Sequence, residues 1–136
     1  MSKNTVEKYL NLMEKFFILV RINGYSRNLR KEITKNSRWY FIDNGIRNAL
    51  IANFQPIGGR NDIGQLWKNY LSAERIKFQE NRRVYANNYF WRTYDKQEID
   101  WIEERDGQLF AYEFKWQSKK KQNTASMAKS LSRGSF

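Results

Sequence analysis

Residues 98–116, EIDWIEERDGQLFAYEFKW, decide how this chain is read. Asp106-Gly107 is the strongest short turn signal in the sequence and stands between two alternating apolar segments, so the stretch predicts a β-hairpin. With those two residues as the turn, Asp100 opposes Glu113 and Glu98 opposes Lys115. Strict alternation puts Glu98, Asp100, Glu113 and Lys115 on one face. Ile99, Trp101, Phe110, Tyr112, Phe114 and Trp116 then form an apolar wall on the other, suited to a core. Opposed carboxylates repel, so the pair calls for solvent, Lys115, a shared proton or a divalent cation. Two carboxylates beside a lysine are the apparatus that holds Mg²⁺ by oxygen and activates a water. The competing reading is an exposed sheet face on which Glu98–Lys115 and Asp100–Lys115 are surface ion pairs.

Composition narrows the chemistry. The 136 residues suffice for one domain with a small appendage, and a 40% apolar share with 22 aromatic residues suffices for a core. There is no cysteine and no histidine, which excludes thiolate and imidazole metal sites, cysteine nucleophiles and Ser-His-Asp triads. No apolar run approaches the ~20 residues of a membrane span and no signal peptide is evident, so the expected address is cytoplasmic with no membrane partner. The net charge of +11 is uneven. Residues 1–38 carry nine Lys/Arg against three Asp/Glu, residues 39–116 carry eleven of each, and residues 117–136 carry five Lys/Arg and no acid. A neutral centre with basic flanks suits a polyanion, most simply nucleic acid, although basic flanks also serve only to keep a domain dispersed.

Outward from the hairpin, Thr5 is placed to cap a helix running to Val20, with Val6, Tyr9, Leu10, Met13, Phe16, Phe17 and Val20 as its apolar stripe. Asn23-Gly24 is a turn signal and Leu29–Ile33 a candidate returning strand with Arg27, Arg30 and Lys31 exposed. A helix followed by a small ribbon reads as a winged-helix remnant over residues 1–38. Trp39–Ile42 is a buried strand candidate, Asp43 caps a helix from Gly45 to Ala52, and the proline-glycine stretch 53–60 is a loop. Asn61 or Asp62 caps a helix from Ile63 to Phe78, whose inner stripe holds Ile63, Leu66, Trp67, Tyr70, Leu71, Glu74 and Phe78. Glu74 on that stripe reads as an edge carboxylate paired with Arg75 or Lys77. Residues 84–92 form a strand with an irregularity at Asn87-Asn88, and residues 118–136 a basic, apolar-poor tail.

An acidic helix followed by three strands carrying Asp100 and then Glu113-Phe114-Lys115 resembles the PD-(D/E)xK nuclease superfamily. A longer series is more specific: Tyr25-Ser26-Arg27-Asn28, Tyr40-Phe41-Ile42-Asp43-Asn44-Gly45-Ile46-Arg47, Gly64-x-Leu66-Trp67-Lys68-Asn69 and Tyr89-Phe90-Trp91-Arg92. Together, over residues 5–117, they resemble the nuclease-like C-terminal domain, of unknown function, of prokaryotic AAA-type ATPases. The resemblance implies an α+β (α/β) restriction-endonuclease-like core over residues 39–117, with three antiparallel strands and flanking helices. It implies Asp100 and Glu113 as ligands of Mg²⁺, and Lys115 as the group that orients water or stabilises charge on phosphate. Lys119, Lys120 and Lys121, with Arg27, Arg30 and Lys31, would contact phosphates. An AAA-type ATPase domain would be a partner, yet no Gly-x-x-x-x-Gly-Lys-Ser/Thr loop is present, so this fragment binds no ATP that way.

Two features depart from the family pattern. Where the family has Glu before Asn on the helix, this chain has Lys68 before Asn69, and a cation there repels Mg²⁺. Glu74 lies six residues on, about 600° around the helix and so roughly 120° off that face. The last twenty residues also do not supply the helix and strand that follow Glu-x-Lys in the superfamily. The functional expectation is an accessory, nuclease-like, nucleic-acid-binding domain with weak or no catalysis. The alternatives are a protein-interaction module that docks on an ATPase domain or self-associates, and an active Mg²⁺-dependent endonuclease.

Overall fold

A computed structural model describes residues 1–26 and 37–116. In chain order the elements are α1 (Lys3–Lys15), β1 (Leu19–Gly24), β2 (Arg38–Phe41), α2 (Asn44–Leu50), α3 (Ile63–Arg82), β3 (Asn87–Arg92), β4 (Glu98–Arg105) and β5 (Gln108–Tyr112). The expected hairpin forms in the expected register, from Trp101↔Tyr112 to Arg105↔Gln108. Asp106 and Gly107 have φ of 49° and 73°. Positive φ at both central turn positions gives the twist that two-residue hairpins require.

The fold is mixed α+β. One sheet has the order β2-β1-β3-β4-β5. β1 pairs antiparallel with β2 and parallel with β3, and β3, β4 and β5 are the expected antiparallel trio. A single sheet thus joins residues 19–24 to the segment beginning at residue 38. The candidate strand Leu29–Ile33 lies outside the described residues. Ile22, Phe90, Trp101 and Phe114 form the core, with Val20, Tyr40, Leu71, Ile76 and Tyr112 packed on it. Leu71 and Ile76 belong to α3, so this helix covers that face of the sheet. Among the described residues no helix is long and apolar enough to cross a membrane.

Strict alternation fails in β4. Tyr89 pairs with Ile102, but Trp91 pairs with Ile99. Two residues of β3 therefore span three of β4, which is a β-bulge. Asp100 meets Lys68 of α3, and Trp101 lies in the core beneath Leu71 and Ile76, so these two neighbours both turn toward α3. The expected separation of Asp100 from the tryptophan wall is corrected accordingly.

Helix α1 is shorter than predicted. Ser2, not Thr5, is its cap: the Ser2 hydroxyl accepts from the Thr5 N–H. It ends at Lys15, where Ile18 N–H donates to Met13 O and Phe17 N–H to Glu14 O, each at 3.0 Å. This double closure needs a left-handed residue, and Phe17 supplies it with φ of 58°. The β-branched residues that follow favour strand, and they pass into β1. No residue of α1 is buried, and Val6, Tyr9, Leu12, Phe16 and Phe17 are exposed. α2 has the predicted cap, with Asp43 accepting from Gly45 and Ile46 N–H groups.

Helix α3 runs four residues beyond Phe78 and is rotated from the expected stripe. Tyr70, Glu74 and Phe78 face solvent; Asn69, Ser72, Ala73 and Gln79 are buried. Small and amide side chains let the helix lie close to the sheet and bond to it. Asn69 Oδ1 accepts from Phe41 N–H, and its Nδ2 donates to Phe41 O and Asn44 Oδ1, all at 2.8 Å. Gln79 and Asn88 exchange amide hydrogen bonds at 2.9 and 2.7 Å. Asn69→Ala removes three bonds and strands the polar groups of Phe41 at the sheet edge, so a loss of about 2–3 kcal/mol is expected in urea unfolding.

Candidate functional site

Asp100 is brought to α3 by the bulge and is 4% exposed. Its Oδ1 accepts from Lys68 Nζ at 2.7 Å, and its Oδ2 accepts from the Phe114 N–H at 3.0 Å. Arg38 approaches from β2, 2.9 Å from Glu98 Oε1 and 3.8 Å from Asp100 Oδ1. Lys68 Nζ is also 3.8 Å from Glu98 Oε1. The Arg38 guanidinium is held 4.3 Å over the Phe90 ring. Two acids and two cations therefore form a quartet of zero net charge that ties α3 to β2 and β4.

Glu113 and Lys115 take each other as partners, 2.7 Å apart, both with more than half of the side chain exposed. Glu113 stands between Tyr112, which packs on the core, and Phe114, which belongs to it. Asp100 is thus buried against Lys68 while Glu113 and Lys115 are half-exposed and paired with each other. The Lys115 ammonium is held above its ordinary pKa, first by the hydrogen bond and charge of Glu113 and to a smaller extent by Asp100. Arg27, Arg30, Lys31, Lys119, Lys120 and Lys121 lie outside the described residues.

The donor set around Asp100 does not fit Mg²⁺, which takes oxygen ligands in near-octahedral array. Both oxygens of Asp100 are engaged by protein donors, and two cations converge on it. Among the described residues no group of three or more acidic side chains is placed to hold a metal ion.

A second polar cluster went unread in the sequence. Glu103 is fully buried. Arg75 Nε and Nη2 donate to its two oxygens, the second at 2.9 Å, and Trp101 Nε1 donates at 3.2 Å. Arg105 Nε stands 3.3 Å away. Burial alone raises a carboxyl pKa; the Arg75 fork, Arg75's charge and then Arg105 outweigh it and hold Glu103 below its ordinary value. A spacing signal for both clusters existed. Lys68 and Arg75 are two helical turns apart, about 10 Å, and Asp100 and Glu103 span about 10 Å of strand. Asp62, expected as a helix cap, instead takes Arg60 and Arg47, which hold its carboxyl well below the usual range.

Comparison with known proteins gives two family matches. Residues 63–134 match a family described as "Domain of unknown function (DUF4143)", and residues 1–57 match "Domain of unknown function (DUF8612)". A Haemophilus influenzae (strain ATCC 51907 / DSM 11121 / KW20 / Rd) protein described as "Uncharacterized protein" is 30% identical over 103 residues. The match covers 74% of this chain and 22% of that relative. The chain thus spans about a fifth of the length of the curated relative it matches. No solved structure matches significantly.

Proposed function

This chain belongs to the family described as "Domain of unknown function (DUF4143)", and from that premise we propose that it is a nuclease-like module that grips nucleic acid without cutting it. The observation that carries the reading is the Lys68 ammonium 2.7 Å from Asp100. A fixed cation there neutralises the carboxylate that hydrolysis would need for a metal-bound water. Asp100 then orders the β4–β5 end by accepting the Phe114 N–H, and Glu113 and Lys115 remain at the surface beside it. Phosphate contact falls to the basic flanks, with Arg27, Arg30, Lys31 and Lys119–Lys121 as the contributing groups. By its resemblance, the partner in the same polypeptide or complex is an AAA-type ATPase domain. A second reading, a protein-docking module, draws on the exposed apolar stripe of α1.

Fluorescence anisotropy with a labelled duplex across a salt series tests the first reading. Six phosphate contacts predict a log–log slope of about −5, and incubation with Mg²⁺ or Mn²⁺ yields no cleavage product. A salt-independent affinity, or none, overturns it; if light scattering then shows a dimer, the docking reading takes its place. Cleavage that is lost in Asp100→Ala shows that Lys68 does not close the site.

A further inference from the structure

β1 and β3 meet at two pairs only, Asn23↔Tyr89 and Gly24↔Phe90. Before that level they part around a cleft of about 680 Å³, bordered by residues 20–23 on one side and 84–89 on the other. Consecutive residues of β1 line it, so it opens on the strand's edge and not on one of its faces. Ile42 N–H donates to Ile18 O at 3.0 Å. Hydrogen-bonded pairs alternate along an antiparallel ladder, so Val20 and Ile22 also turn their peptide groups to β2, and Arg21 turns its N–H and C=O into the cleft. Among the described residues no hydrogen bond reaches either group. The border is acidic: Glu80 comes from α3, Glu104 from β4 and Asp106 from the hairpin turn. None of these three side chains has a partner among the described residues. The cleft's one cation, Arg21, is engaged by Glu14 at 3.7 Å and lies over the Trp39 ring. A chain of net charge +11 thus gathers three unpartnered carboxylates around an unpaired strand edge.

We propose that this cleft receives an extended segment of another polypeptide, rich in lysine or arginine, which adds to the edge of β1. Its backbone bonds the Arg21 N–H and C=O as an added strand does, and its cations meet Glu80, Glu104 and Asp106. Main-chain pairing supplies the affinity, and the three acids select the sign of charge. The same acids repel a phosphate chain, so this site is separate from any nucleic-acid contact and does not depend on that reading. A small polyamine would satisfy the acids but leave the strand edge unpaired.

Fluorescence anisotropy with a labelled octapeptide that alternates lysine and threonine tests this. The peptide is expected to bind, and its counterpart with glutamate in place of lysine is not. A fully N-methylated version keeps the charges but no backbone donor, and is expected to bind about tenfold more weakly. Combining Glu80→Gln, Glu104→Gln and Asp106→Asn should cost about tenfold in affinity for the parent peptide; Asn-Gly keeps the hairpin turn. Hydrogen exchange followed by NMR gives a readout on the unmodified protein. The Arg21 amide should exchange freely alone and about tenfold or more slowly with the peptide bound. An Arg21 amide already protected in the free protein means that the edge is closed, and overturns the proposal. If the N-methylated peptide binds as well as the parent and spermine displaces both, the cleft holds a simple polycation and the strand pairing is overturned. If a DNA duplex protects the Arg21 amide in place of the peptide, the cleft belongs to nucleic acid and the proposal fails. If the peptide does not bind, or the triple variant binds it undiminished, the proposal fails while the nucleic-acid reading stands.

Discussion

Arg75→Ala is expected to lower the stability of the fold by about 3–5 kcal/mol, a fall of roughly 10–20 °C in melting temperature. Glu103 is fully buried, and Arg75 reaches both of its oxygens. Removing the guanidinium leaves a charged carboxylate in the interior with Arg105 and the Trp101 N–H as its remaining partners. The loss includes packing, because the Arg75 guanidinium lies 4.9 Å over Phe78 and 5.4 Å over Tyr112. The double change Arg75→Met with Glu103→Leu should recover most of it, since apolar replacement of a whole buried pair is often neutral. Acid titration gives an independent check. Glu103 is held below its ordinary value, so its contribution is full above the unfolded carboxyl pKa, about 4.3, and is lost as pH falls through the folded value. In Arg75→Ala burial pushes the same carboxyl upward. The gap between parent and variant should therefore narrow on acidification, as measured by thermal melts from pH 7 to pH 3.

Lys68→Glu should turn the closed quartet into a site that responds to divalent cations. In EDTA a third carboxylate beside Asp100 and Glu98 repels both, with Arg38 as the one remaining cation of the quartet, and a loss of about 3 kcal/mol or more is expected. Mn²⁺ at a hundred times its dissociation constant should return about 2.7 kcal/mol, read as a rise in melting temperature. Lys68→Met is the control, destabilised but indifferent to the ion. A parent protein that is itself stabilised by Mn²⁺, with the effect lost in Asp100→Ala, would show that the ammonium does not bar the metal.

The hairpin, its register and the α+β class were legible because Asp106-Gly107 is a strong local signal and the flanking alternation is unbroken from Trp101 to Tyr112. Strand β1 was hidden because Phe16, Phe17 and Val20 extend a helical period that the backbone abandons at Phe17. The inner face of α3 was misread for a different reason. The helical period puts aromatic residues inside, but hydrogen bonds between the sheet and Asn69, Gln79, Lys68 and Arg75 decide how this helix sits. Trp67 and Tyr70 are left facing outward as a result. The pattern of β4 points to Asp100, and the structure sets Lys68 of α3 and Glu98 beside it. The turn of Asp100 toward α3 follows from one extra residue in β4, which no period of two announces.

That extra residue has a wider consequence. A flat strand has one inward side chain for every two residues, so a shorter β4 would have to choose between the indole of Trp101 and the carboxylate of Asp100 at this level of the sheet. With the offset, greasy filling and ionic latch occupy neighbouring seats beneath the same helix. A relative missing one residue between Ile99 and Ile102 should keep either the core aromatic or the helix latch, but not both.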